Sequence, residues 1–178
     1  TILYAGNIGK GQGLEKVIPD IAKSLGSEYK IKIIGDGGAI SLLKDFVKKG
    51  NIENVEFIPP VGRVELTKYY LEADILFLHL NNISAFKRVL PSKIFEYGAL
   101  GRPIIAGLSG YSADFVKKNI PYALVFPPGD FKSGVKCILD SNNIKVSRNT
   151  VNEFVKKYLR ASIMNNLTQE VMSCIEDK

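Results

Sequence analysis

Three short segments of this chain concentrate residues able to hold an anion or a pair of hydroxyl groups. The first, G-N-I-G-K-G-Q-G over residues 6–13, places four glycines in eight positions. Such a loop lets backbone approach a ligand closely and aims several N–H groups at one place. Gly6, Asn7, Gly9, Lys10 and Gln12 are its candidate contacts, Lys10 adding a full charge, and a helix opening directly after it would add its positive N-terminal end. The second segment is G-D-G-G at 35–38, with F-I-P-P-V-G-R at 57–63 beside it. Gly35, Asp36, Pro60 and Val61 offer unshielded backbone suited to a flat base, with Arg63 as a nearby cation. The plainer alternative is a pair of ordinary turns, with Asp36 capping the next helix. The third segment, L-P-S-K-I-F-E-Y-G-A-L-G-R-P-I-I-A over 90–106, predicts a short helix at 93–100. Ser92 is its expected N-cap, and Gly101 and Pro103 mark its end. Its free N–H groups, with Ser92 and Lys93, make a second anion site. Glu96 lies one turn in, and helical side chains lean toward the N-terminus. Its carboxylate therefore sits near the anion, free to accept from both hydroxyls of a ribose, unless it is simply a solvated helix residue. Anion and diol together describe a nucleoside diphosphate.

Two better-known phosphate motifs fail on inspection. Gly6 and Gly11 have the spacing of a Walker A loop, but Gln12 stands where its lysine belongs. A dinucleotide fingerprint starting at Gly9 and Gly11 meets Leu14 at its third glycine position. Asp36, at the end of the second strand, still keeps open an NAD-binding dehydrogenase domain or a UDP-sugar epimerase of the same fold. The single histidine, His79, ends an apolar run beside the same crevice, where a donor-sugar contact competes with a structural role. One histidine and two cysteines, Cys137 and Cys174, exclude zinc fingers and iron–sulfur clusters. Two cysteines so far apart fit a reduced cytoplasmic chain better than a disulfide framework. The formal charge of +6 points to an anionic partner. Its lysines are spread among acids without a basic, aromatic-interleaved stripe, which argues against nucleic acid.

The elements that must position these residues follow from hydrophobic patterning. Apolar runs at 2–5, 31–34, 55–58, 75–80, 104–106 and 123–126 hardly alternate, as parallel strands buried on both faces do. Between them run helical stripes: Leu14, Val17, Ile18, Ile21, Ala22 and Leu25; Leu43, Phe46 and Val47; Leu66, Tyr69, Tyr70 and Ala73. Pro19 should kink the first or delay its start. The pattern predicts an α/β class fold, a Rossmann-like doubly wound parallel sheet of six strands. From Val151 a further stripe through Phe154, Tyr158, Leu159, Ile163, Leu167, Val171 and Ile175 predicts a terminal helix, or two joined near residues 160–162. Tyr97 and Tyr111 are expected mostly in the core. No apolar run reaches the eighteen residues of a membrane span. The chain opens without methionine and almost on a strand, which reads as a piece of something longer.

Taken in order, Y-A-G-N-I-G-K-G-Q-G-L, I-I-G-D-G-G, E-A-D-I and P-S-K-I-F-E-Y-G-A-L-G-R-P-I-I-A resemble the C-terminal, donor-binding domain of GT-B-fold, retaining glycosyltransferases of the family-four type. The P-S-K-x-x-E-Y variant is similar to bacterial enzymes building O-antigen and capsular polysaccharide, many of which use UDP-N-acetyl-aminosugars. The resemblance implies that Glu96 holds the ribose and that the 6–13 loop with Ser92 and Lys93 meets the diphosphate. It implies that Gly35, Asp36, Pro60 and Val61 surround the base. It further implies a UDP-sugar donor, no metal, and a cytoplasmic enzyme with peripheral membrane contact through a lipid-linked acceptor. Residues 1–145 would be the donor domain and 146–178 a helical tail, the N-terminal acceptor domain lying outside this chain and the fragment alone inactive. Three positions depart from the pattern. Arg88, with His79 a candidate donor-sugar contact, stands where a first glutamate usually reads sugar hydroxyls, and Asn7 and Gln12 replace the usual Arg and Lys of the phosphate loop. Lys10, Lys93, Arg63 and Arg88 are candidates to compensate, the two arginines competing with a role as solvated surface charge.

Overall fold

A computed structural model describes residues 1–159 and 161–164. Six strands form one parallel sheet: β1 (Ile2–Ala5), β2 (Ile31–Ile34), β3 (Val55–Ile58), β4 (Ile75–His79), β5 (Ile104–Gly107) and β6 (Ala123–Phe126). Their spatial order is β3-β2-β1-β4-β5-β6, so the chain reverses its direction of winding between β1 and β4. That is the switch point outside which open α/β sheets bind ligands. β4 stops one residue short of the expected run and β5 extends one beyond it, because His79 pairs with Gly107 as the last rung.

Burial on both faces explains the unalternated strands. In β1, Ile2 and Tyr4 enter one apolar layer while Leu3 and Ala5 enter the other. The first layer is closed by α1 (Ile18–Leu25), α2 (Ile40–Lys49) and α6 (Phe131–Asp140). The second is closed by α3 (Arg63–Glu72), α4 (Lys93–Leu100), α5 (Tyr111–Asn119) and α7 (Arg148–Tyr158).

All six residues of the first predicted stripe are buried, but they do not form one helix. A 3-10 turn spans Leu14–Lys16, and α1 begins only at Ile18 with Pro19 in its first turn. Proline fits there because the first N–H groups of a helix have no intrahelical partner. The expected helix end directly behind the glycine loop is therefore replaced by a 3-10 turn. At the other end, α7 stops at Tyr158, Leu159 is extended, and 161–164 are helical again. Leu167, Val171, Ile175 and Cys174 lie outside the described residues. Phe154 is buried against Gly98 of α4, so α7 packs within the second layer.

Candidate functional site

The loop after β1 and the loop after β2 are built as one unit. Gly6 donates to Ile34 O at 2.9 Å, Ile8 to Asp36 O at 2.8 Å and Ala39 to Ile8 O at 2.9 Å. Gly35 has φ +138, and a Cβ there would collide with the Gly6 carbonyl oxygen. Part of the glycine content thus serves backbone-on-backbone contact as well as access for a ligand. Asp36 accepts from Gly37 N at 2.7 Å instead of capping α2, whose N-cap position is Ala39. The capping alternative is therefore corrected: the turn is closed locally, three residues before the helix starts.

Beside these loops lies a cleft of about 310 Å³, lined by Ala5, Gly6, Asn7, Ile34, Gly35, Asp36, Pro60, Val61 and Leu66. Six of the residues predicted around a nucleotide meet in it. A neighbouring cavity of about 290 Å³ shares Gly35, Asp36 and Pro60 and adds Lys44 and Phe57. Leu66 of α3 belongs by its spacing to the core stripe; its place on the cleft wall depends on where α3 docks.

α4 brings the third segment to the same loop. The helix spans Lys93–Leu100, as the sequence predicts, and ends on Gly101 in left-handed conformation. Lys93 lies on Gly6: a Cβ there would stand 2.8 Å from its Cε and 3.2 Å from its Nζ. Its ammonium is 3.5 Å from the Glu96 carboxylate, which remains about half exposed. A cation over the glycine loop and a carboxylate one turn away are thus both in place. Ser92 occupies the N-cap position but has helical dihedrals, and its side chain caps nothing. Carbonyls of Pro91 and Ser92 already accept from Ile94 and Phe95 at 3.0 and 3.1 Å, so the turn starts before the residue expected to cap it.

Gln12 folds back over the loop. Its Oε1 accepts from Gly9 N and Asn7 Nδ2, both at 3.1 Å. Its carbonyl accepts from His79 Nδ1 at 2.5 Å, while His79 Nε2 accepts from Gly129 N at 3.1 Å. His79 is 1% exposed, and burial lowers its pKa to about 4, so the ring is neutral with its proton on Nδ1. Both nitrogens are committed inside the protein. The donor-sugar contact weighed for His79 is therefore corrected: it ties the glycine loop to the turn after β6.

Lys10, Arg63 and Arg88 are exposed and stand outside the cleft lining, Arg63 as the first residue of α3 and Arg88 at the end of a 3-10 turn. The sequence reading missed Asn81. Its N–H donates to Gly11 O at 2.8 Å, its Nδ2 to Lys10 O at 3.1 Å, and its Oδ1 accepts from Lys16 at 3.0 Å. The one available signal was its place just past β4, across the switch point from the loop. Below the loop, Tyr4 donates to Asn7 O at 2.5 Å, and the Tyr97 hydroxyl accepts from Ala5 N at 3.2 Å. Tyr97 is fully buried, as expected, whereas Tyr111 is mostly exposed. Among the described residues no three His, Cys, Asp or Glu side chains gather where they could hold a metal ion.

Sheet order, with the candidate site at the switch point, defines a Rossmann-type domain of the kind that forms half of a GT-B fold. The chain belongs to the family described as glycosyl transferases group 1, which matches residues 1–158. That membership sets aside the dehydrogenase and epimerase alternatives. A curated relative is the putative colanic acid biosynthesis glycosyl transferase WcaI of Escherichia coli strain K12. It is 29% identical over 111 residues, 62% of this chain and 27% of the relative. Among solved structures, Anabaena Alr3699/HepE in complex with UDP and glucose superposes with a TM-score of 0.75 at 15% identity. The lipopolysaccharide outer core galactosyltransferase WaaB, in apo form, gives 0.75 at 16%. Both comparisons cover 97% of this chain and 48% of the other. The chain therefore spans 27% of the curated relative's length and 48% of each of these two solved chains.

Proposed function

We propose that this chain is the donor-binding half of a metal-independent glycosyltransferase that takes a sugar from UDP for transfer to a surface-polysaccharide or lipid-linked acceptor. The observation that carries this reading is the convergence of Gly6, Asn7, Gly35, Asp36, Pro60 and Val61 on one cleft, with Lys93 lying on Gly6 and Glu96 3.5 Å from its ammonium. In this assignment the base lies against the Pro60–Val61 wall and Glu96 accepts from the ribose diol. The diphosphate rests on Lys93, the start of α4 and the N–H groups of the 6–13 loop other than those of Gly6, Ile8, Gly9, Gln12 and Gly13, which donate within the protein. Charge building on the diphosphate as the glycosidic bond breaks is met by donors already oriented, which is how a leaving group is stabilised without a metal. UDP is favoured over GDP because HepE was solved with UDP and with UDP-glucose. The P-S-K-x-x-E-Y pattern favours an N-acetyl-aminosugar. The acceptor is assigned to a second domain, and peripheral membrane contact to that domain; among the described residues no helix is long and apolar enough to cross a membrane. A cytoplasmic site of action follows from the use of a nucleotide sugar.

Following the melting temperature during titration with UDP, GDP and NAD tests the reading. UDP at about one hundred times its Kd should add about 2.7 kcal/mol of stability, with a smaller shift from GDP and none from NAD. Stabilisation by NAD alone would overturn the assignment. The chain by itself should release no UDP from UDP-N-acetylglucosamine in the presence of acceptor lipid.

A further inference from the structure

α3 buries one side chain within its span, Tyr70, although Leu66 and Tyr69 partly cover the same layer. Tyr70 is 4% exposed, and its ring meets Tyr97 edge-on at 5.8 Å. Its hydroxyl is buried and completes no hydrogen bond within geometric limits. A hydroxyl left so is costly, and a packed tyrosine without use for its oxygen would serve better as phenylalanine. The group it faces is the Glu96 carboxylate: burial first, then that carboxylate's charge and its hydrogen-bond approach to the hydroxyl, raise the Tyr70 pKa above its ordinary value. Among the described residues the ion-pair partner of Glu96 is Lys93 at 3.5 Å, a long contact for a charged pair.

We propose that Tyr70 is a positioning residue, its hydroxyl donating from beneath to the Glu96 carboxylate when nucleotide binds and turning that carboxylate toward the ribose diol. The proposal rests on the assignment of Glu96 to ribose. A carboxylate offers about four lone-pair sites. Tyr70 takes one from the protein side, Lys93 another from the phosphate side, and two remain for the 2′- and 3′-hydroxyls. The same helix supplies Leu66 to the cleft wall and starts two residues after Val61. Tyr70 therefore ties the element bordering the base to the side chain that reads the sugar.

The test is the ratio of affinities for UDP and 2′-deoxyuridine diphosphate, measured by calorimetry on the wild-type chain and Tyr70→Phe, with inorganic pyrophosphate as control. Phenylalanine keeps the ring against Tyr97 and removes the unpartnered oxygen, so the variant should melt at the same temperature or higher. Because Tyr70 orients Glu96 without touching the ribose, losing its hydroxyl should remove only part of the roughly tenfold-to-hundredfold effect of a hydrogen bond to a charged group. Preference for UDP should therefore fall roughly fivefold to tenfold in the variant, with pyrophosphate affinity unchanged. If the wild type prefers UDP and the variant keeps the same ratio, Tyr70 only packs, and the proposal fails while the ribose reading stands. If the wild type shows no preference, the assignment of Glu96 fails and the proposal with it.

Discussion

Glu96 is the residue on which the reading of the cleft turns. It stands one turn into α4, half exposed, with Lys93 between it and the glycine loop. Its carboxylate can serve hydroxyl groups but would repel phosphate oxygens. The two parts of a nucleotide should therefore respond differently to its loss. Glu96→Ala should weaken UDP binding by about tenfold to a hundredfold, the range for hydrogen bonds to a charged acceptor. Pyrophosphate should bind as well as before or slightly better. Calorimetric titration of both ligands checks this, and equal weakening of the two would remove Glu96 from the ribose. Lys93 was legible beside it because a helix start after Pro91 fixes its place locally. Asn81 and Tyr70 were not, since nothing near them in sequence shows that one meets the glycine loop and the other the Glu96 carboxylate.

At the scale of elements, α4 carries the site and α7 holds α4. Gly98 faces Phe154 so closely that a Cβ would displace the ring. Phe154 is 4% exposed, stacks beside Phe95 and meets Tyr158 at a tilt. The helical tail expected after residue 145 therefore begins with a helix that packs inside the second layer. Phe154→Ala should cost about 3–5 kcal/mol, lowering the melting temperature by on the order of 10 °C. Weaker UDP binding should accompany it, as α4 loses its support. A near-wild-type melting curve would show that α7 merely rests on the surface. The extents of β1, β2, β3 and α4 were legible because apolar runs, a proline and a left-handed glycine act over a few residues. The delayed start of α1 was legible from Pro19, but the 3-10 turn before it was not. Six apolar residues at helical spacing are equally well buried by a 3-10 turn followed by a helix, and Gly13 with Pro19 shifts the balance.

Across the whole molecule, His79 clips together parts that the chain keeps far apart: β4, the loop at 6–13 and the turn at Gly129. Its pKa of about 4 lies below the usual 6.5 because the charged ring would lose its hydration. The unfolded chain therefore takes up the proton first. This contribution is complete above about pH 6.5 and is lost as pH falls toward 4, by roughly 3 kcal/mol. Urea midpoints at pH 7 and pH 4.5 should show that loss in the wild type and a shallower one in His79→Gln; equal slopes would exclude the histidine as its source. The sequence by itself determined the class of fold, the strand segments, the short helix at 93–100 and the three segments that gather at the candidate site. Each depends on hydropathy period, glycine freedom or helix-end chemistry within a few residues. Only the tertiary structure decided that Gly35 yields to the Gly6 carbonyl, that His79 is spent internally, that α7 seats α4 and that Tyr70 lies beside Glu96. Those outcomes depend on burial and hydrogen bonding between residues distant in sequence, whose partners are fixed only when the two layers close on the sheet.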